Sequence, residues 1–291
     1  MAKSAASIGH RCAKQGNRGI GMKWTIDDIE WDRFDPSKVD PMVLSVVRAA
    51  SMVEYRSADY VTYLCNIFPD DETFQEAARV WGEEEIQHGR VLGEWAKLAD
   101  PSFDFDAAFA DFCANYELAL DAEESIRGTR GAELLSRCMV EIGTSSFYSS
   151  IHDAVDEPVL KQICTLIARD EFSHYGLFRR HMERYMADEK LGAWSRIRIM
   201  ISRTLETQDD ELAYAYHAAN RLPGPYDRRT ASDAYAIRAL SLYRLAHIKK
   251  GVVLASKALG FNREGWWLGA IATMIYRLMR WRSRRVTQIA A

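Results

Sequence analysis

Apolar residues recur along most of this chain at intervals of three and four, the spacing that lines one face of an α-helix. From Asp40-Pro41 onward, Val43, Val46, Val47, Ala50, Val53, Ser57, Tyr60 and Leu64 fall on one side, which predicts one helix to about Phe68. Asp40 can cap that helix and Pro41 suits its first turn. The stretch "FPDDE" breaks the pattern, and Asp70 or Asp71 starts a second helix reaching about Leu98. After "ADPSFDFD" a third covers roughly residues 106–122, and "RGTRG" is a glycine-bounded turn. A fourth runs from about Ala132 to Ile151, and Glu157-Pro158 opens a fifth that ends near Met186. Residues 190–291 predict three more helices, divided at "NRLPGPYD". Alternating runs joined by Asn-Gly turns are missing, so the class is all-α, and short loops imply antiparallel neighbours in a bundle.

Four acids interrupt this apolar periodicity. Glu54 follows "SMV" and Glu141 follows "CMV", each a lone acid in an apolar stretch. A buried, unpaired carboxylate costs several kcal/mol unless a cation or hydrogen bonds compensate it. The other two belong to a pair of Glu-x-x-His motifs, Glu85/His88 in "EEEIQHGR" and Glu171/His174 in "RDEFSHYG". Residues three apart share a helix face. The two glutamates are 86 residues apart and so are the two histidines; Glu54 lies 31 residues before Glu85, and Glu141 lies 30 before Glu171. One Glu from each of two helices plus Glu-x-x-His from each of two others is the ligand set of ferritin-like di-iron carboxylate bundles. Carboxylates and imidazoles without thiolates suit iron or manganese better than zinc or an iron–sulfur cluster. The expected cofactor is therefore two iron ions, with a manganese–iron pair as the alternative.

Bulk properties narrow the remaining choices. At 291 residues, 48% apolar and 27% charged, the composition is ordinary for a globular protein. A net charge of −3 argues against nucleic acid as a partner. Five scattered cysteines with no C-x-x-C pair fit neither a disulfide framework nor a zinc knuckle, which points to a reducing cytoplasm. No apolar run reaches the ~18 to 20 residues of a membrane span. Residues 1–35 read as a disordered basic tail carrying Lys3, Arg11, Lys14, Arg18 and Lys23, with a transit-like segment or a start at Met22 as alternatives. The expected organisation is that tail, a ferritin-like four-helix bundle with a di-metal site over 36–188, and additional helices over 189–291 with a basic end.

The motifs resemble two groups within the ferritin-like superfamily. "EEEIQHGRVLGEW" and "IARDEFSHYGLF" are similar to the two iron motifs of the soluble acyl-ACP desaturases, and "VEIGTSSFY" resembles the helix that carries their third Glu. The ligand spacing and "MVEIGTSSFY" also resemble the aldehyde-deformylating oxygenases. The resemblance covers about residues 40–186. It implies that Thr144 lies in an oxygen pocket and that Tyr148 stands one helical repeat after the third Glu. It also implies that Glu84 and Asp170 orient the histidine of the opposite motif, Asp170 holding His88 and Glu84 holding His174. Ile167 stands where one N-oxygenase branch has a seventh, histidine ligand, and the missing C-x-x-C pairs set the chain apart from rubrerythrin.

The expected function is a di-iron, dioxygen-dependent oxidase or oxygenase acting on an apolar, fatty acyl substrate presented on an acyl-carrier protein, with electrons from a ferredoxin-like donor. The alternatives are a ferroxidase or peroxide scavenger of rubrerythrin type, a di-iron oxygenase of a non-lipid small molecule, and a helical lipid- or membrane-binding protein that happens to hold metal. A homodimer is the assembly held open. In "EGWWLGAIATMIYRLMRWRSRR", Arg277, Arg280, Arg282, Arg284 and Arg285 stand among tryptophans and aliphatic residues. The plain reading is a packing helix with a basic end. The sharper one is a docking surface for an acidic carrier protein or for the inner face of a membrane. Tyr55, Tyr60 and Tyr63 read as core residues, with a redox role as the alternative, and His181, His217 and His247 read as surface or capping groups.

Overall fold

Proline and acidic caps set where the helices start. The structure, a computed structural model, describes residues 22–206, 210–261 and 265–289, the side chains of 204–206 and 285–289 excepted. Among the described residues it holds eleven α-helices, three short 3-10 turns and no strand. Asp40 accepts from the backbone of Met42 and Val43 with Pro41 behind it, and α1 runs over Pro41–Tyr55. Arg56 interrupts the expected long helix, and α2 follows over Ser57–Ile67. Asp71 caps α3, Glu72–Ala99. Asp104 caps α4, Phe105–Asn115, which ends earlier than the apolar spacing predicts. Thr129 caps α5, Arg130–Ala154, and Glu157 caps α6, Pro158–Glu189. The buried Glu157 also accepts from Trp95 Nε1 at 2.8 Å, which pins the C-terminal end of α3 to the start of α6.

Beyond residue 190 there are five helices where three are expected: α7 (Ala193–Glu206), α8 (Asp210–Asn220), α9 (Arg228–Leu242), α10 (Leu245–Ala258) and α11 (Trp266–Ile289). The extra breaks fall where the apolar pattern runs on, as at Tyr243-Arg244, where no proline or glycine marks the stop.

The longest contact joins α5 to α6; α1 packs on α3, and α3 also meets α6. Around them, α8 lies on α1 and α4, α10 and α7 lie on α5, and α11 rests on α9 and α10. One core cluster gathers Val46, Met52, Leu92, Trp95, Ile151, Ile163 and Ile167; a second gathers Leu64, Phe68, Phe74, Leu134, Leu135 and Phe178. Residues 22–35, expected to belong to the disordered tail, form 3-10 turns against α3 and α6. Trp24 and Ile29 draw them there, because both are buried in the first cluster. Lys3, Arg11, Lys14 and Arg18 lie outside the described residues. No helix among the described residues is long and apolar enough to cross a membrane.

Candidate metal centre

Four helices deliver six ligand-type side chains to one buried place. Glu54 closes α1, Glu85 and His88 share a face of α3, Glu141 comes from α5, and Glu171 and His174 share a face of α6. All six are buried. They form two overlapping groups, Glu54/Glu85/His88/Glu171 and Glu85/Glu141/Glu171/His174, and within each group one ligand atom per residue lies within 4.8 Å of the others. Glu85 and Glu171 belong to both groups, so they sit where bridging carboxylates would.

Both imidazoles are oriented the same way. His88 Nδ1 is 3.3 Å from Glu171 Oε1 and 3.5 Å from Glu85 Oε2. His174 Nδ1 is 2.9 Å from Glu85 Oε1 and 3.6 Å from Glu141 Oε2. The outer nitrogens turn away from the centre: His174 Nε2 lies 2.7 Å from Glu84 Oε2, and His88 Nε2 lies 3.4 Å from Asp170 Oδ2. Each acid beside a motif glutamate therefore faces the histidine of the other motif. A carboxylate on Nε2 fixes the ring and leaves Nδ1 as the inward donor, the usual arrangement behind a metal-bound imidazole. Glu83, the remaining acid of "EEEIQHGR", is exposed.

The bonding inventory tests whether a cation fits. Buried polar atoms are expensive unless paired. Yet His88 Nδ1, His174 Nδ1, Glu171 Oε1 and both carboxylate oxygens of Glu141 are buried without a hydrogen-bond partner. These orphaned atoms fall within the two overlapping groups, and a cation in each would satisfy them. The side chains present thus fit a metal, or two.

Without a metal, protons carry the balance. Burial pushes the Glu54 and Glu141 carboxyls well above the usual carboxylate range, and neighbouring acids add to the shift at Glu54. Burial acts the same way on Glu85, but the closeness of Glu54, His174 and His88 outweighs it and holds that group well below its ordinary value. Burial disfavours imidazolium at His88 and His174, yet the surrounding carboxylates outweigh it and raise both. Two divalent cations would displace those protons and offset the four carboxylates.

Two hydroxyls touch the cluster. Tyr148, fully buried on α5, donates to Glu54 Oε1 at 2.5 Å. Burial and the Glu54 carboxylate keep its phenol far above the ordinary tyrosine range, hence protonated. Thr144, one turn after Glu141, donates to Glu171 Oε2. The other tyrosines are tied elsewhere, Tyr60 to Glu211 and Tyr63 to Glu133, while Tyr55 packs on Phe105 and Phe109. His247 accepts from the Arg244 backbone and faces Asp153, a capping role.

Sequence reasoning missed two residues. Trp24 stacks on His88 at 6.0 Å and 7°, and its indole N–H donates to Asp170 Oδ2 at 2.6 Å. Lys23 Nζ donates to Asp170 Oδ1 at 3.1 Å, and Gln87 Nε2 to the Trp24 carbonyl at 3.0 Å. Burial would raise Asp170, but bonds from His88, Trp24 and Lys23 hold its carboxyl at about 2. The available signal was the cluster of apolar residues closing that tail, Trp24, Ile26, Ile29, Trp31 and Phe34.

The C-terminal arginines lie away from this centre, on α11. Arg277 and Arg284 are exposed, Arg280 is half-buried, and Arg282 stands 3.9 Å from Asp233. The side chain of Arg285 lies outside the described residues. No family model matches this chain, and no curated protein sequence matches it.

Proposed function

We propose that this protein is a non-haem di-iron oxidoreductase built on a ferritin-like four-helix arrangement of α1, α3, α5 and α6. The observation that carries the reading is the pair of four-ligand groups sharing Glu85 and Glu171, with both Nδ1 atoms directed inward. Glu54 and His88 would complete one position, and Glu141 and His174 the other. Two ferrous ions, or a manganese–iron pair, would supply the electrons that reduce dioxygen.

The chain's own part is to hold, orient and exclude water. Asp170 and Glu84 keep the two imidazoles in register. Tyr148 occupies one oxygen of Glu54 and leaves the other for a cation. Thr144 offers a hydroxyl proton at Glu171, on the centre's inner edge. The side reached by Tyr148 is aromatic, with Phe147 at 5.3 Å from Tyr148 and Tyr235 at 6.5 Å from Phe147, which favours an apolar substrate. The resemblance to acyl-ACP desaturases supplies the fatty acyl choice and the acyl-carrier form. Electrons for repeated turnover would come from an external donor of the ferredoxin class.

The test joins metal analysis to product analysis. Purified protein should hold about two iron or manganese ions per chain. Reduced protein should consume dioxygen and convert an acyl chain offered on acyl-carrier protein into an oxidised product seen by mass spectrometry. Zinc as the sole metal would sink the reading. Dioxygen uptake that consumes only added ferrous iron, with no organic product, would mean a ferroxidase.

A further inference from the structure

Helix α11 packs one face into the protein and turns an apolar face outward. Leu268, Ala272 and Ser283 are buried on the inner side. On the outer side Trp267, Ile271, Met274, Leu278 and Trp281 follow one another at intervals of four and three, so they form one continuous strip. Met274 is 64% exposed, Leu278 62% and Trp281 51%, and the neighbouring Trp266 is 88% exposed. From Trp267 to Trp281 the strip is about 21 Å long at 1.5 Å per residue. A soluble surface scatters such residues; a run of them on one helix marks an interaction site.

The charges say what the strip meets. Between residues 266 and 289 there are five arginines and no Asp or Glu. Arg277 and Arg284 flank the strip on one edge and Arg282 on the other. Arg277 and Arg284 make no ion pair among the described residues. Beside the first edge a cavity of about 540 Å³ opens between α10 and α11, lined by Lys249, Thr273 and Arg277 with Gly269, Ala270 and Met274. It joins two cations and a hydroxyl to the apolar strip, as a phosphate headgroup above acyl chains would require. Tryptophans toward both ends of a cationic amphipathic helix are the pattern of a segment lying in a bilayer interface. A second basic, aromatic face stands on α7, where Trp194, Arg198 and Ile201 are exposed on one side. Arg196 of that helix reaches the α10–α11 turn at Gly260.

We infer that α11 docks the protein flat on an anionic lipid bilayer, with the strip in the headgroup–acyl boundary and the arginines among lipid phosphates. A second copy is a poorer occupant. Two α11 strips laid together would set guanidinium against guanidinium with no acid on either helix. An acidic protein would neutralise the arginines but needs a groove or helix of its own to cover a convex apolar strip. The inference rests on α11 and the basic residues beside it and does not depend on the metal centre.

Sedimentation of the full chain with vesicles tests it. At low salt the protein should pellet with phosphatidylglycerol-containing vesicles and stay in solution with pure phosphatidylcholine. Brominated acyl chains should quench its tryptophan emission, a readout on the unaltered protein. Arg277→Gln with Arg284→Gln should weaken binding roughly 10-fold or more, since each basic residue near such a surface contributes about 1 kcal/mol. Met274→Ser with Leu278→Ser should abolish quenching while helicity and metal content stay unchanged. The idea is overturned if the wild type ignores anionic vesicles, binds neutral ones equally, or pellets without quenching. It is overturned equally if the strip residues are needed for a stable dimer in solution, or for binding acyl-carrier protein in the absence of lipid.

Discussion

Glu54, Glu85 and His88 reach the centre from α1 and α3, and Glu141, Glu171 and His174 reach it from α5 and α6, in the same order and at nearly the same spacing. Their surroundings differ. Glu54 has a hydrogen bond from Tyr148, whereas both oxygens of Glu141 are buried without one. His88 is backed by Asp170, which is itself held by Trp24 and Lys23; His174 is backed by Glu84, which has no second hydrogen-bond partner among the described residues. The repeated pattern decides which atoms meet. The flanking bonds make the two groups unequal: in the proposed di-metal centre one position would have Glu54 already fixed, and the other would have Glu141 left for a cation to order. Two-step metal uptake is the expected consequence.

The largest effect should separate shared from unshared ligands. Glu85→Ala or Glu171→Ala removes a donor from both groups and should empty both positions. Glu54→Ala touches only the first group and should leave about one metal per chain. Elemental analysis after dialysis decides, and equal losses in Glu54→Ala and Glu171→Ala would rule out the sharing.

Next comes the packing behind each position. At Gly89, one residue past His88, an added Cβ would lie 2.4 Å from the Tyr55 nitrogen and 2.6 Å from its Cα. Backbone cannot rotate away, so Gly89→Ala should cost about 3 kcal/mol, the upper end of ordinary overpacking. On α6 the comparison is Gly176→Ala, two residues past His174, where the nearest atom is the flexible Arg180 guanidinium at 3.4 Å. That change should be neutral or stabilising by up to about 1 kcal/mol, because alanine favours a helix. Denaturant unfolding of the metal-free proteins measures both, and similar losses would mean that α1 and α3 are not uniquely close.

These contrasts explain what could be read from the chain. Helical periodicity displays an acid on an apolar face and a histidine three residues on, so the six ligand-type residues and the acids beside them were legible. The crossing of Glu84 and Asp170 came from resemblance. Trp24 and Lys23 were not legible, because they stand 146 and 147 residues from Asp170 and follow no period. The break at Arg56 was hidden for the opposite reason: Val53, Ser57 and Tyr60 continue the pattern straight through it. The outward face of α11 was left open between a packing helix and a docking surface, since an apolar stripe looks the same whether it faces a core or a bilayer.

A smaller effect belongs to the carboxylates behind the imidazoles. Asp170→Asn and Glu84→Gln should each weaken metal binding roughly 10- to 100-fold, as changes to the groups behind metal ligands usually do. Of the two variants only Asp170→Asn should also speed amide exchange in residues 23–25, because Asp170 bonds to that segment and Glu84 does not. Equal exchange in the two variants would show that Lys23 and Trp24 are held by packing alone.

The smallest effect should come from the two tryptophans that flank the two histidines. Trp24 stacks on His88 and donates its N–H to Asp170, while Trp81 meets His174 edge-on at 6.5 Å and 83° with its buried N–H unpartnered. Phenylalanine keeps an aromatic ring at either place; it removes the donor and part of the indole's bulk, a packing loss common to both buried sites. At Trp24 that withdraws one of the bonds holding the Asp170 charge, so His88 loses some of its anchoring and metal affinity should fall by roughly tenfold or less, the low end of such changes. At Trp81 the removed donor has no partner to lose, so affinity should stay unchanged, and relief of the unpaired buried N–H should offset part of the stability lost to the smaller ring. Competition with a chelator for the bound metal resolves differences of this size. If Trp81→Phe weakens binding as much as Trp24→Phe, ring shape rather than the indole hydrogen bond positions the histidines, and the two halves of the centre are more alike than their bonds suggest.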